Sequence, residues 1–202
     1  MKTKSALLIF SVVLLSLGSL SCGGKSVASD DEVAVLETTY GRIVIEFLPN
    51  DAPRHVANFK ELAAEGFYNG MKFHRLAKKS DRTIAIQGGD PNSINGAPST
   101  WGQGQPGQKT VEAEFSSTLK HERGIVSAAR KGGDVNSATS QFFICIASEP
   151  NWDGQYSIFG KVIDGMNVAD LIAGAPVWPK GERPMDPVVI TKAYLIKRDQ
   201  LK

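Results

Sequence analysis

Hydrophobic and polar residues alternate over much of this chain with the two-residue period of β-strands. The pattern begins at residues 33–37 and recurs at 43–47, where every second side chain is apolar. Further strand-like runs lie at residues 72–76, 84–87, 124–129, 141–146, 156–162 and 188–197. Because these runs are short and separated by glycine-rich connections, the pattern predicts a mostly antiparallel β architecture.

Two segments have helical spacing instead. Residues 53–64 repeat apolar side chains on one face, with Asp51 as the expected N-cap, Pro53 in the first turn and Gly66 as the stop. A second helix is predicted at residues 166–173, between two glycines. Closing the sheet into a barrel would remove its exposed edges, and the two helices could cover the open ends.

The N-terminal residues have the composition of a secretory signal. Lys2 and Lys4 precede an apolar run at residues 6–17, which is short for a membrane span, and small residues then lead to Cys22. Residues 20–22 resemble a bacterial lipoprotein processing site, although Ser19 stands where such sites usually have leucine. We therefore expect a signal peptide at 1–21, lipidation of Cys22, a flexible tether at 22–31 and one domain at 32–202. Ordinary signal cleavage and an uncleaved anchor helix are the alternatives.

Charge argues against nucleic-acid binding. The chain has 23 Lys and Arg against 21 Asp and Glu, and two of the lysines lie in the expected signal, so the rest is balanced. The cluster Arg75, Lys78, Lys79 and Arg82 is a local exception, and its part at residues 78–82 is most simply interpreted as a solvated loop. Beyond Cys22 the chain has one cysteine, Cys145, in an apolar run typical of a buried thiol, so no disulfide framework is available.

Arg75 and Gln87 are the polar residues that are the clearest candidates for a functional role. Arg75 ends the tripeptide Phe73-His74-Arg75, and Gln87 opens the run Gln-Gly-Gly-Asp-Pro. Neither segment contains a nucleophile–base pair, a metal-ligand spacing or the Gly-Lys-Ser/Thr ending of a phosphate-binding loop. An arginine and a glutamine among apolar neighbours suit hydrogen bonding to a peptide backbone, which favours reshaping of amides over their cleavage.

Five segments together resemble the cyclophilin family of peptidyl-prolyl cis-trans isomerases. They are residues 53–67 (PRHVANFKELAAEGF), 73–75 (FHR), 86–91 (IQGGDP), 137–145 (SATSQFFIC) and 153–162 (DGQYSIFGKV). They occur in the family's order, and the resemblance extends over residues 33–198. It implies a closed eight-stranded antiparallel barrel with a helix at each end and a substrate groove on the barrel's outer surface.

The resemblance also implies roles for individual residues. Arg75 takes the position of the catalytic arginine, and Gln87 that of the glutamine that places it and binds the substrate backbone. The remaining expected contacts with substrate are Phe73, Ile84, Ala129, Gln141, Phe143, Trp152 and Tyr156. Without the resemblance, Phe143 could be simple core and Trp152 a loop-packing aromatic, while alternation sends Phe142 to the opposite face from Phe143.

The chemistry of prolyl isomerisation suits these residue types. Rotation about an X-Pro bond crosses a barrier of roughly 18–20 kcal/mol because the amide nitrogen is conjugated with its carbonyl. Twisting localises a lone pair on that nitrogen, so a fixed guanidinium donor would stabilise the twisted state more than the planar one. The reaction requires no cofactor, metal or nucleotide.

The chain departs from the family pattern at the pocket. The spacer between Arg75 and Gln87 is longer than usual, with extra residues within 77–83, and Ile84 and Ala85 stand where larger side chains are usual. Asn151 replaces a tryptophan that some members use to contact cyclosporin. A peptide-binding module without useful turnover is therefore the alternative to an enzyme. We expect proline-containing polypeptides as partners, a monomeric state, and an exported location in a bacterial cell envelope.

Overall fold

Eight antiparallel strands form one sheet in the computed structural model, which describes residues 31–179 and 181–201. The strands are β1 (Glu32–Thr38), β2 (Gly41–Phe47), β3 (Arg75–Lys79), β4 (Arg82–Gly88), β5 (Ile125–Ala128), β6 (Phe142–Cys145), β7 (Ile158–Asp164) and β8 (Ile190–Lys197). Their order across the sheet is β3-β4-β6-β5-β7-β2-β1-β8. The mostly β class is confirmed, and seven of the eight predicted strand positions agree with the structure; the run predicted at 72–76 overlaps β3 only at its last two residues. The predictions for residues 1–30, Cys22 included, lie outside the described residues.

The sheet curls into a half-barrel whose closure is less regular than the continuous ring expected from the sequence. Its end strands, β3 and β8, are not paired with each other in the described structure. Instead, the segment before β3 crosses to the other edge, where the Phe73 N–H donates to Val188 at 2.9 Å and the Gly70 N–H to Ile190 at 2.8 Å. One isolated bridge joins Lys72 to Val189. The outer edge of β3 is therefore left to other partners.

Two helices pack on the sheet, as the sequence predicts. Helix α1 (Pro53–Ala64) contacts β7 and β8, and helix α3 (Met166–Ala173) contacts β2 and β4; a single extra turn, α2 (Asn92–Asn95), lies between them in the chain. Gly165, at φ +87°, precedes α3, and a Cβ there would lie 2.1 Å from a backbone oxygen, so only glycine fits.

The expected capping of α1 by Asp51 is wrong. Ala52 occupies the N-cap without a side-chain bond, and the Asp51 carboxylate accepts a bond from Ser116 instead. The free N–H groups of the first turn donate to the Glu114 carboxylate, from Arg54 at 3.1 Å and from His55 at 3.0 Å. A carboxylate 60 residues away thus replaces the local cap.

The core fills the inside of the half-barrel. Phe59 of α1 lies at its centre, with its ring centroid 4.8 Å from that of Tyr68 and 5.5 Å from that of Phe142. The next residue on β6, Phe143, points to the outer face, where it belongs to a separate cluster with Ile84, Ala85 and Cys145. The predicted alternation of Phe142 and Phe143 is confirmed, and it gives the outer face a second apolar surface.

The extra residues between Arg75 and Gln87 lengthen the β3–β4 hairpin. Residues 78–82 are exposed, as expected, but they form paired strand ends and a turn rather than a loop. Arg75 pairs with Gln87 and Ala77 with Ala85, after which the register shifts so that Lys78 faces Thr83. Ile84 is the unpaired residue of this bulge. At the far end of β3, the Lys79 ammonium lies 2.7 Å from the buried Glu149 carboxylate, so the insertion is attached to the fold.

Candidate active site

Three side chains form a hydrogen-bonded row across neighbouring strands on the outer face. Arg75 and Gln87 face each other across β3 and β4, and the Arg75 Nη1 donates to Gln87 Oε1 at 3.3 Å. Gln87 Nε2 donates to Gln141 Oε1 at 3.1 Å, and Gln141 Nε2 donates to the Gly102 carbonyl at 3.1 Å. Each amide is therefore fixed in orientation, and the row ends in a guanidinium whose side chain is half exposed.

A pocket of about 90 Å³ lies beside this row. Its lining combines three polar residues, Arg75, Gln87 and Arg130, with apolar and aromatic ones: Ala77, Ala85, Ala129, Phe143, Trp152 and Tyr156. A second cavity, of about 80 Å³, shares Gln87 and Ala129 and continues past Gln141 toward residues 102–105. The two cavities form one groove on the outer face, with the glutamine row between them.

Three aromatic rings make the apolar wall of the pocket. The Phe143 ring centroid lies 5.1 Å from that of Trp152 and 5.3 Å from that of Tyr156, both edge to face. The Arg130 guanidinium lies over the Tyr156 ring at 4.9 Å and donates to the Gln155 carbonyl. The wall is therefore a packed cluster, and Trp152 is part of it rather than a loop aromatic packed elsewhere.

A buried polar group supports these rings from below. His121 stacks on Phe143, with ring centroids 6.1 Å apart, and its Nδ1 lies 3.0 Å from Asp153 while its Nε2 lies 3.1 Å from the Ser127 hydroxyl. Burial lowers the pKa of His121 despite the neighbouring carboxylate. The set resembles a Ser-His-Asp triad, but Ser127 is completely buried, so it cannot attack a substrate.

Two of the expected substrate contacts do not fit the structure. Phe73 is 1% exposed and packs inside the half-barrel, 6.1 Å from the Phe142 ring. It precedes β3, in a segment bonded to Val188, so it does not follow the alternation that begins at Arg75. Ile84 lies in the outer apolar cluster but not on the pocket wall. The bulge changes the register there, and Ala85 and Ala77 line the pocket in its place.

Other expected residues are placed as follows. The structure brings Arg75, Gln87, Ala129, Gln141, Phe143, Trp152 and Tyr156 to the groove. Sequence reasoning missed Arg130, although it directly follows Ala129, and Glu182, whose carboxylate lies 2.6 Å from the Arg75 Nε. Nothing in the sequence signals the latter contact, because 107 residues separate the two.

The remaining reactive groups give little reason to expect other chemistry. Burial raises the pKa of the Cys145 thiol to about 12, so the thiol stays protonated at neutral pH. His74 is buried, and its pKa is lowered by that burial. In the part of the chain that the structure describes, no three His, Cys, Asp or Glu side chains cluster as metal ligands, and no helix is long and apolar enough to cross a membrane.

The fold and groove define the class of protein. A curled antiparallel sheet presents an oriented arginine beside a pocket with an aromatic wall, which is an arrangement suited to binding a peptide backbone. Comparison with known proteins agrees. The family model described as cyclophilin type peptidyl-prolyl cis-trans isomerase/CLD matches residues 33–195. The chain belongs to this family, whose members are peptidyl-prolyl cis-trans isomerases, and it is an enzyme of that kind.

Individual relatives give the extent of the similarity. The chain is 41% identical over 157 residues to peptidyl-prolyl cis-trans isomerase-like 3 of Gallus gallus, covering 77% of this chain and 90% of the relative. It is 41% identical over 149 residues to peptidyl-prolyl cis-trans isomerase-like 2 of Rhizopus delemar, covering 73% of this chain but 26% of that longer protein.

A solved structure supports the fold. It is a cyclophilin type peptidyl-prolyl cis-trans isomerase of Cryptosporidium parvum, crystallised in the presence of the dipeptide Ala-Pro. The match has a TM-score of 0.71 at 30% identity and covers 82% of this chain and 99% of the other. The likeness therefore extends over the whole of that protein.

Proposed function

We propose that this enzyme accelerates rotation about X-Pro bonds in exported proteins, with Arg75 stabilising the twisted amide. The observation that carries the proposal is the placement of the Arg75 guanidinium on the wall of a pocket that three aromatic rings, Phe143, Trp152 and Tyr156, also line. The crystallisation of the Cryptosporidium relative with Ala-Pro supports a proline-containing peptide as the ligand of this groove.

The geometry gives each group a task. Phe143, Trp152 and Tyr156 would receive the proline ring, while Gln87 and Gln141 offer amide groups to the backbone on either side. Arg75 would donate to the prolyl nitrogen as its lone pair forms. A donor oriented before the substrate arrives favours the twisted state without further reorganisation.

A proline-peptide isomerisation assay tests the enzyme. We expect the purified full-length chain to raise the cis-trans exchange rate of an X-Pro tetrapeptide, measured by NMR exchange spectroscopy, well above the uncatalysed rate. The same preparation should speed the proline-limited refolding phase of a reporter protein, which otherwise takes tens of seconds or more. A folded chain that leaves both rates unchanged would refute the proposal.

The alternative, a peptide-binding module with little turnover, is favoured by one observation. Alanines at 77 and 85 form part of the pocket wall, so a peptide could bind there with a poorly matched proline ring. Measuring peptide affinity by calorimetry beside the exchange rate separates the two functions. Micromolar binding without rate enhancement would establish the module.

We also propose that the enzyme works in a bacterial cell envelope, anchored through a lipid on Cys22. The support is the order of charges, apolar run and cysteine at the N-terminus. We expect cells expressing the chain to incorporate labelled palmitate into it, and Cys22→Ala to abolish that labelling. Cys145→Ala is the matched control, because Cys145 is buried and should leave labelling intact. Equal labelling of the wild type and Cys22→Ala would contradict the anchor.

A further inference from the structure

We propose that Glu182 is a positioning residue for Arg75: its carboxylate joins the guanidinium to the outer edge of strand β3 and so fixes the plane in which Arg75 meets the substrate. The inference rests on the isomerase function proposed above. It assigns a residue that none of the sequence motifs contains.

Glu182 is bound to β3 at three points. Its main-chain carbonyl accepts the Leu76 N–H at 2.6 Å. One carboxylate oxygen accepts the Lys78 N–H at 2.8 Å, and the other accepts the Arg75 Nε–H at 2.6 Å. The main-chain N–H groups of Leu76 and Lys78, two residues apart along β3, therefore both donate to Glu182. The carboxylate is oriented by backbone before it meets the arginine.

Two anchors are enough to fix a guanidinium. The group is planar, and Glu182 holds its Nε edge while Gln87 holds Nη1 at 3.3 Å. With these two contacts made, Nη2 has no hydrogen-bond partner among the described residues and is available to the substrate. Without Glu182, the single long bond to Gln87 would leave the half-exposed side chain free to change rotamer.

The loop that carries Glu182 has its own supports. Within residues 176–185, the Trp178 N–H donates to Arg183 at 3.1 Å and the Met185 N–H donates to Pro176 at 2.7 Å. The Arg183 guanidinium lies 5.7 Å from the ring centroids of both Trp101 and Trp178. Contacts within this loop and with Trp101 therefore hold Glu182 beside β3, and these contacts do not involve Arg75.

The contribution of Glu182 is geometric rather than electrostatic. An ion pair this exposed adds little to stability, and a carboxylate beside the guanidinium reduces the positive field at the prolyl nitrogen. A catalyst gains from such a partner only through orientation, since a misplacement of about 1 Å can cost roughly 100-fold in rate. The expected signature is thus a loss in kcat with peptide affinity retained.

The test compares Glu182→Ala with Glu122→Ala, which removes an exposed acid whose side chain has no hydrogen bond or ion pair among the described residues. In Glu182→Ala we expect kcat for a proline peptide to fall about 10-fold with Kd changed less than 2-fold. We also expect the Arg75 Nε–Hε NMR resonance to shift and to exchange faster with water. The kcat of Glu182→Gln should lie between those of Glu182→Ala and the wild type, because glutamine offers one acceptor for two donors. The kcat of Glu122→Ala should match the wild type.

Each outcome decides the inference. An unchanged Arg75 resonance in Glu182→Ala overturns it, and so does a shifted resonance with unchanged kcat. Equal losses in kcat and affinity together with a lower midpoint of urea unfolding would also overturn it, because that pattern indicates a merely structural role. If the wild type itself proves inactive, the proposed function fails separately, and the resonance alone then decides whether Glu182 orients Arg75.

Discussion

Arg75→Ala is expected to lower kcat/KM for a proline peptide by about 100- to 1000-fold, the range found when a preorganised donor to a transition state is removed. The reason is that the Arg75 guanidinium is held in orientation on the pocket wall, through Nε and Nη1, while its Nη2 stays available beside the rings that would hold the proline. Arg130 also lines the pocket, but its Nε is occupied by the Gln155 carbonyl and its guanidinium by the Tyr156 ring.

Arg75→Lys is the matched variant for this loss. Lysine keeps the charge but cannot contact Glu182, Gln87 and substrate with one planar group, so most of the activity should still be lost. Both substitutions should leave the free energy of unfolding within about 1 kcal/mol of the wild type, because the side chain is half exposed. Wild-type activity in a folded Arg75→Ala would exclude the proposed mechanism.

Phe143→Ala and Phe142→Ala are expected to separate catalysis from stability at adjacent positions. Phe143 forms the centre of the aromatic wall, so its removal should cost about 10- to 100-fold in kcat/KM, a loss of the order expected for part of a hydrophobic binding pocket. Phe142 packs against Phe59, Tyr68 and Phe73 inside the half-barrel, so its removal should cost about 3–5 kcal/mol in the free energy of unfolding.

Urea unfolding and the exchange assay on the folded fraction measure the two effects. Phe142→Ala should retain most of its kcat/KM per folded molecule, because the groove lies on the other face of β6. The urea midpoint of Phe143→Ala should lie closer to that of the wild type than the urea midpoint of Phe142→Ala does. The reverse assignment, with Phe142 governing activity, would show that the groove does not bind the proline ring.

The sequence predicts this fold well where local pattern and packing agree. Period-two alternation places the strands, and it assigns Phe142 and Phe143 to opposite faces of β6. Both residues are buried because both faces of β6 are covered. The same rule fails at Phe73. Two residues before Arg75, it would share the face of Arg75 in a regular strand, but it lies before β3 begins and packs in the core.

The failures have a common physical origin in contacts between distant parts of the chain. Asp51 is a sound local candidate for a cap, but Glu114 supplies the acceptor from another segment. Counting back from Gln87 makes Ile84 an expected pocket residue. A bulge in the pairing of β3 with β4 moves Ile84 off the pocket wall, and local sequence does not reveal that pairing. Glu182 reaches Arg75 only because the sheet leaves the edge of β3 open.

The order of the strands has a consequence for how the enzyme itself is made. β1, the first strand of the domain, lies between β2 and β8, and it pairs with β8 from Glu32 to Thr38. One edge of β1 therefore stays unpaired until the last strand, ending at Lys197, has left the ribosome. A catalyst that would hasten the folding of other chains therefore needs its own β8 to be synthesised before both edges of β1 are protected from edge-to-edge aggregation.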